Sequence, residues 1–319
     1  MIPPPLTNQG VVVALGGNAL LPGDEDGDIH RQFAHTRESL APIVEMARSG
    51  WRIAIVHGNG PQIGDDLYRN ELARRELPPL PAGVLVAGTA GWIGYMIQQS
   101  LQNALERAGI ERDVVTLITQ VLVDRDDPAF DDPSKPIGHA LDEEAARVLA
   151  EELGWTIRPE GDGRYRRLIA SPMPTGIVEK RQIRSLVDAG TIVIACGGGG
   201  TPVYRDPVLR LEGIDAVIDK DRAAAVLAAE IHADVLLILT NVDGVYRGFG
   251  TSRQELIRRM TASEARRLLE SGEFARGSMA PKIEAAVSFV STGGERAHIG
   301  RLDHGLAVVE GREGTLIVP

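Results

Sequence analysis

The chain has 319 residues, 43% of them hydrophobic, and a formal net charge of −10. That length suits one large α/β domain or two lobes with a sizeable core. The acidic balance argues against a broad nucleic-acid footprint, no apolar run is long enough to span a membrane, and Cys196, the single cysteine, rules out an internal disulfide. The opening Met1-Ile2-Pro3-Pro4-Pro5 lacks the basic region of a secretory signal, so a cytoplasmic location is expected.

In chain order, short β-branched or aliphatic runs at residues 11–15, 52–56, 114–118, 191–196 and 234–239 read as buried strands. Helical patterns fall between and after them, at residues 36–49, 84–108, 142–153, 178–189, 221–231, 262–270 and 281–291. Gly50, Gly109, Gly154, Gly190 and Gly272 sit just past five of these, where left-handed C-caps are expected. The alternation predicts an α/β fold: an open, mainly parallel sheet sandwiched by helices. Residues 124–174 break it. They are polar, rich in Asp, Arg, Pro and Gly, with one helical pattern and a strand-like stretch from Arg164 to Ala170. They are read as a small protruding subdomain, a lid, inserted in a single domain covering residues 1–319.

Four strands run into loops of similar kind. These are Gly16-Gly17-Asn18-Ala19, His57-Gly58-Asn59-Gly60-Pro61, Gly197-Gly198-Gly199-Gly200-Thr201 and Thr240-Asn241-Val242-Asp243-Gly244-Val245-Tyr246. Ligands of open α/β sheets sit at the carboxyl ends of the strands. Glycines there let backbone N–H groups converge on an anion without a Cβ in the way. One such loop reads as a tight turn, but several on one edge read as a phosphate-binding rim. The P-loop, the dinucleotide fingerprint, the protein-kinase catalytic sequence, a Gly-x-Ser-x-Gly elbow and metal-ligand spacings are all absent.

Only four of the 34 basic residues are lysines: Lys135, Lys180, Lys220 and Lys282. A compact ammonium fits a tight phosphate pocket that a planar guanidinium does not. Lys220, beside Asp221, opens one helical pattern, and Lys282, after Pro281, opens another. Lysine at a helix N-terminus is electrostatically unfavourable unless an anion binds there; the alternative is that both side chains point into solvent. Lys135 lies in the projecting segment, where it could close over a substrate. Lys180, beside Glu179, reads as a solvated surface residue. No residue stands out as a general base. An acceptor that is already ionised needs none, because phosphoryl transfer then rests on positioning and charge neutralisation.

Taken together and in order, these segments resemble the carbamate kinases, a branch of the amino-acid kinase family. The matching stretches include Val12-Val13-Ala14-Leu15-Gly16-Gly17-Asn18-Ala19, His57-Gly58-Asn59-Gly60-Pro61-Gln62, Ile93-Gly94-Tyr95, Thr119-Gln120, Lys135-Pro136-Ile137-Gly138, Cys196-Gly197-Gly198-Gly199-Gly200, Ala216-Val217-Ile218-Asp219-Lys220-Asp221 and Gly277-Ser278-Met279-Ala280-Pro281-Lys282. The resemblance implies reversible phosphoryl transfer between ATP and carbamate, giving ADP and carbamoyl phosphate, commonly in arginine breakdown. It implies Mg²⁺ carried by the nucleotide, no resident metal, and a homodimer. Gly16, Gly17 and Asn18 would meet the transferred phosphoryl group. Gly58, Asn59, Gly197, Gly198 and Gly199 would shape the small-substrate site, with Lys135 reaching in. Lys220 and Lys282 would hold the nucleotide phosphates with Asp221 organising them, and Thr240, Asn241, Asp243, Tyr246 and Met279 would lie near the nucleoside. The chain departs from the family at Ala90-Gly91-Trp92, where Gln-Gly is usual, and at His139-Ala140, where Pro-Phe often follows. A diverged kinase for another small carboxylate, or a non-catalytic nucleotide-binding regulator, are the alternative readings.

Overall fold

The structure, a computed structural model, describes residues 6–16, 28–275 and 278–319. The centre is an eight-stranded sheet. Its middle consists of four neighbouring parallel strands in the order Val235–Thr240, Gly10–Leu15, Arg52–His57 and Ile192–Ile194. Val114–Thr116 adds a parallel strand at one edge, and Arg296–Arg301 continues the parallel run on the other side. Beyond it Thr315–Val318 and Arg259–Thr261 run the opposite way.

The strand interiors are apolar on both faces because helices cover both. Val11, Val13 and Leu15 pack with Ile43 and Met46 of the Ala41–Arg48 helix and with Ile93, Met96 and Ile97 of the Ala82–Arg107 helix. Val12 and Ala14 face the other way, into a core with the Lys220–Glu230 and Met279–Ser291 helices. This alternation within one strand is the period-two geometry of β-structure. Gly94 explains part of the Ile-Gly-Tyr motif. A Cβ there would lie 2.3 Å from Thr116 Cγ2, so glycine lets the long helix approach the edge strand.

All five anticipated C-cap glycines have positive φ, from 65° at Gly154 to 92° at Gly190. Two elements differ from expectation. The predicted helix over residues 36–49 is two helices, Ile29–Ser39 and Ala41–Arg48. Pro42 lies in the first turn of the second, where its missing N–H is tolerated, and it cannot continue the first. Residues 60–73, expected to be no more than a glycine-rich turn at their start, form the Gly60–Ala73 helix, with Pro61 in the first turn.

Residues 124–174 hold their own three-stranded antiparallel sheet, ordered Lys135–Leu141, Arg164–Ile169 and Thr156–Gly161. The Glu143–Leu153 helix packs on it. Its contact with the rest of the chain includes the Gly60–Ala73 helix, where Gly64 faces the backbone of Gly138.

Candidate active site

The four glycine-rich strand ends become neighbours in space. They follow the four middle strands of the sheet, which run parallel, so the strand ends share one edge. The Gly58 amide donates to the Leu15 carbonyl at 3.1 Å, and a Cβ on Gly16 would meet the Leu239 carbonyl at 3.4 Å. The turn after Ile192–Ile194 is the tightest. Gly198 and Gly199 have φ of 68° and 95°, and added Cβ atoms would lie 2.3 Å from Asn59 Nδ2 and 2.2 Å from the Ile218 carbonyl oxygen. Only glycine satisfies both the dihedral and the space. Asn59 in turn donates from Nδ2 to Thr89 Oγ1 at 2.9 Å, below the surface.

The lysines converge on two aspartates. Asp219 is the N-cap of the Lys220–Glu230 helix and accepts from the amides of Asp221 at 2.9 Å and Arg222 at 3.3 Å. Asp221, 2% exposed, divides its carboxylate between two ammonium groups. Lys220 Nζ donates to Oδ1 at 2.5 Å and Lys282 Nζ to Oδ2 at 2.9 Å. Burial alone would raise the Asp221 pKa, but the two lysines outweigh it and hold it at about 2. Burial pulls the Lys220 pKa down, with Asp221 opposing and Lys282 reinforcing the shift. Lys135 reaches in from the three-stranded sheet, its Nζ 3.4 Å from Asp219 Oδ2 and 3.5 Å from the Ile218 carbonyl. Burial pushes the Asp219 carboxyl up, yet Lys135, Lys220 and the Arg222 amide bring it below its ordinary value. Three ammonium groups face two carboxylates, so the cluster keeps a surplus positive charge for an anion.

The cluster borders a cavity of about 630 Å³. Gly16, Gly58, Asn59, Gly198, Lys135, Lys220, Asp221, Lys282, Thr240, Asn241, Tyr246 and Met279 all line it. Gly197 and Gly199 lie behind its wall, and the carboxylate of Asp243 accepts from Tyr246 Oη at 3.0 Å and pairs with Arg301 at 3.6 Å. Gly17 and Asn18 lie outside the described residues. Lys180 pairs with Glu230 at 2.6 Å, with its side chain 45% exposed, away from this cavity.

The family model for the amino acid kinase family matches residues 9–301. The carbamate kinase of Pyrococcus furiosus is 43% identical over 311 residues, covering 97% of this chain and 99% of that one. That of Halobacterium salinarum is 45% identical over 312 residues, with 97% and 98% covered. The solved structure of the Giardia lamblia carbamate kinase bound to AMP-PNP superposes with a TM-score of 0.91 at 35% identity, covering 97% of this chain and 98% of that chain. The chain belongs to the amino acid kinase family. Its open, mainly parallel sheet between helix layers is the fold of that family, as the sequence pattern led us to expect.

Several lining residues of this amino acid kinase escaped the sequence reading. Val217, Ile218, Phe249, Phe274 and Leu302 give the cavity apolar walls; Val217 and Ile218 lie in the Ala216–Asp221 stretch with no role assigned to them, and no motif marked the other three. His57 is another. It is fully buried behind the rim, and its Nδ1 lies 2.9 Å from the Gly58 carbonyl oxygen. Burial lowers its pKa to about 4 against the pull of backbone contacts to Gly58 and Ala90, so the ring is neutral at pH 7. A Cβ on Gly197 would lie 2.5 Å from His57 Nε2 and 2.9 Å from Ala90 Cβ. Ala90, the departure noted in the sequence, therefore packs beneath the glycine-rich turn.

Proposed function

We propose that this chain is a carbamate kinase that transfers a phosphoryl group reversibly between ATP and carbamate, giving ADP and carbamoyl phosphate. The observation that carries the reading is the convergence of Lys135, Lys220 and Lys282 on Asp219 and Asp221 in the lining of the cavity. A carbamate oxygen attacks the γ-phosphorus, the bond from that phosphorus to the bridging oxygen breaks, and ADP leaves. Charge spreads over the phosphoryl oxygens in the transition state, where preorganised ammonium groups and backbone N–H groups stabilise it. The carboxylates lining the cavity are engaged: Asp219 and Asp221 by lysines, Glu273 by the Gly248 amide at 2.6 Å. An acceptor that is its own nucleophile fits such a site.

In this reading Lys220 and Lys282 hold the nucleotide phosphates, and Thr240, Asn241, Asp243, Tyr246 and Met279 flank the nucleoside. Gly16, Gly17 and Asn18 meet the transferred group. Gly58, Asn59, Gly197, Gly198 and Gly199 shape the carbamate site. Both oxygens of Asp221 are taken by ammonium groups, so Mg²⁺ would ride on the nucleotide phosphates. Residues 124–174 act as a lid that brings Lys135 to the substrate, within one domain. A homodimer, a cytoplasmic location and a role in arginine catabolism complete the proposal. The exposed strip of Val84, Tyr95 and Ile118, with Gly88 and Gly91 between, supports docking of a second copy; a monomer in sedimentation would count against it.

The test is ATP formation from ADP, Mg²⁺ and carbamoyl phosphate, read with luciferase, against Lys135→Ala as control. Wild type should exceed the control by at least about a hundredfold. ADP binding without ATP formation would instead favour a kinase for another small carboxylate, the reading that Ala90 beneath the glycine-rich turn keeps open.

A further inference from the structure

A second cavity, of about 410 Å³, lies beside the Lys135–Leu141 strand between the Gly60–Ala73 and Glu143–Leu153 helices. That volume is within the range of small-molecule sites. Its walls are mostly apolar, with Leu67, Leu141, Val148 and Leu149 among them. The charged residues of the lining are Glu71, Arg74, Asp142, Glu144 and Arg167. Glu71 and Arg74 pair with each other and Asp142 accepts from the Ala145 amide at 2.8 Å, which leaves Arg167 as the cation of the lining with no carboxylate of the described residues in contact. The Arg167 guanidinium stacks over the Trp155 ring, 4.1 Å from its centroid. No carboxylate among the described residues forms an ion pair with it. Glu71 is engaged by Arg74 at 2.7 Å, and Arg74 also reaches Glu152 at 2.7 Å. Asp215 accepts from the Ala82 amide at 3.0 Å. Burial disfavours the charge on Arg167, and Asp215 and Glu71 counter that only from longer range. A partly buried cation whose only neighbour of opposite character is an aromatic face, with no carboxylate in contact, costs free energy that an incoming anion recovers. A guanidinium's planar fork matches a carboxylate.

We propose that this cavity binds a small amphipathic carboxylate, its acid group on Arg167 and its apolar body against Leu141, Val148 and Trp155. Ile137 lines both cavities, Lys135 and Pro136 line only the larger, and Gly138 and Leu141 line only the second. A ligand here therefore acts on the strand that carries Lys135 and tunes phosphoryl transfer, a consequence that rests on the function proposed above.

The probe is 3-phenylpropionate, titrated by calorimetry and tryptophan fluorescence with saturating ADP so that the nucleotide site is filled. It should bind wild type at least about tenfold more tightly than the neutral 3-phenylpropionamide, as expected for one charge-assisted contact. Arg167→Met should bring the acid down to the affinity of the amide, and Val148→Trp should abolish binding of both with an unchanged circular dichroism spectrum. Equal affinity of acid and amide, no binding of either, or undiminished acid binding in Arg167→Met overturns the site. If Arg167→Met does not fold, Val148→Trp and the acid–amide comparison decide. Saturating acid should also shift the KM for carbamoyl phosphate by more than about threefold in wild type and not in Val148→Trp, a modest coupling free energy. An unmoved KM overturns the link to Lys135. Failure of wild type to make ATP counts against the proposed reaction alone and leaves the binding measurement intact.

Discussion

At the scale of single residues, the site is governed by one buried carboxylate. Asp221 sits between two ammonium groups, and neither lysine would be tolerated so deep without it. Lys220→Ala should cut turnover by at least about a hundredfold, the cost of one preorganised charge contact in a transition state. The fold should survive, because Lys282 still pairs with Asp221. Near-normal turnover in Lys220→Ala would sink the phosphate assignment. Acid dependence follows from the same group. Its folded pKa of about 2 lies below the ordinary 3.8, so its stabilisation is fully present above pH 4 and is lost as pH falls through 2. The shift corresponds to about 2 kcal/mol. The lysine pairing was half legible in the sequence. The helix-start positions of Lys220 and Lys282 marked them as unusual, but that both meet the two oxygens of one carboxylate depends on residues 61 positions apart.

At the scale of elements, the glycine-rich turn after Ile192–Ile194 is held by contacts on several sides. Gly199→Ala would place a methyl group 2.2 Å from a backbone carbonyl at a φ of 95°. It should destabilise the protein by several kcal/mol and abolish activity, since backbone atoms cannot swing aside. Gly213→Ala, whose Cβ would enter open space, serves as the comparison and should leave the melting temperature within a few degrees. Equal melting temperatures for the two variants would contradict this account. The Gly60–Ala73 helix shows why the reading of elements fell short. Gly60 and Pro61 read as part of a glycine-rich loop, but Pro61 is harmless in a first turn, and Gly64 is where the helix meets the Gly138 backbone.

At the scale of the whole molecule, two buried histidines make folding sensitive to mild acid. Burial lowers both His57 and His298 to pKa values of about 4, with Arg296 adding to the effect at His298. Both rings are neutral when folded, while the unfolded chain takes up protons near pH 6.5. Their stabilisation is complete above pH 6.5 and declines as pH falls toward 4, by about 2 kcal/mol per ring at pH 5. Denaturant midpoints at pH 7.5 and pH 5 should record the drop, and His298→Leu should remove roughly half of it. A pH-independent midpoint across that window would refute the assignment. The lid proposal is also tested at this scale. Amide exchange across residues 132–141 should slow when ADP and carbamoyl phosphate are present together, and the sheet core should not change. Unchanged exchange there would remove the lid role.

The sequence by itself determined the layered α/β architecture, because strands buried on both faces and helices with one apolar face leave few other arrangements. It also marked the glycine-rich strand ends and the three lysines, because local chemistry at those positions is costly without a ligand. Tertiary structure alone decided that the four strand ends share one edge, since strand order is a matter of long-range pairing. It likewise decided that Ala90 lies under Gly197, that Val217, Phe274 and Leu302 wall the cavity, and that Arg167 faces a second one. None of these has a local signature. Each depends on which distant segments the packing of the sheet brings together.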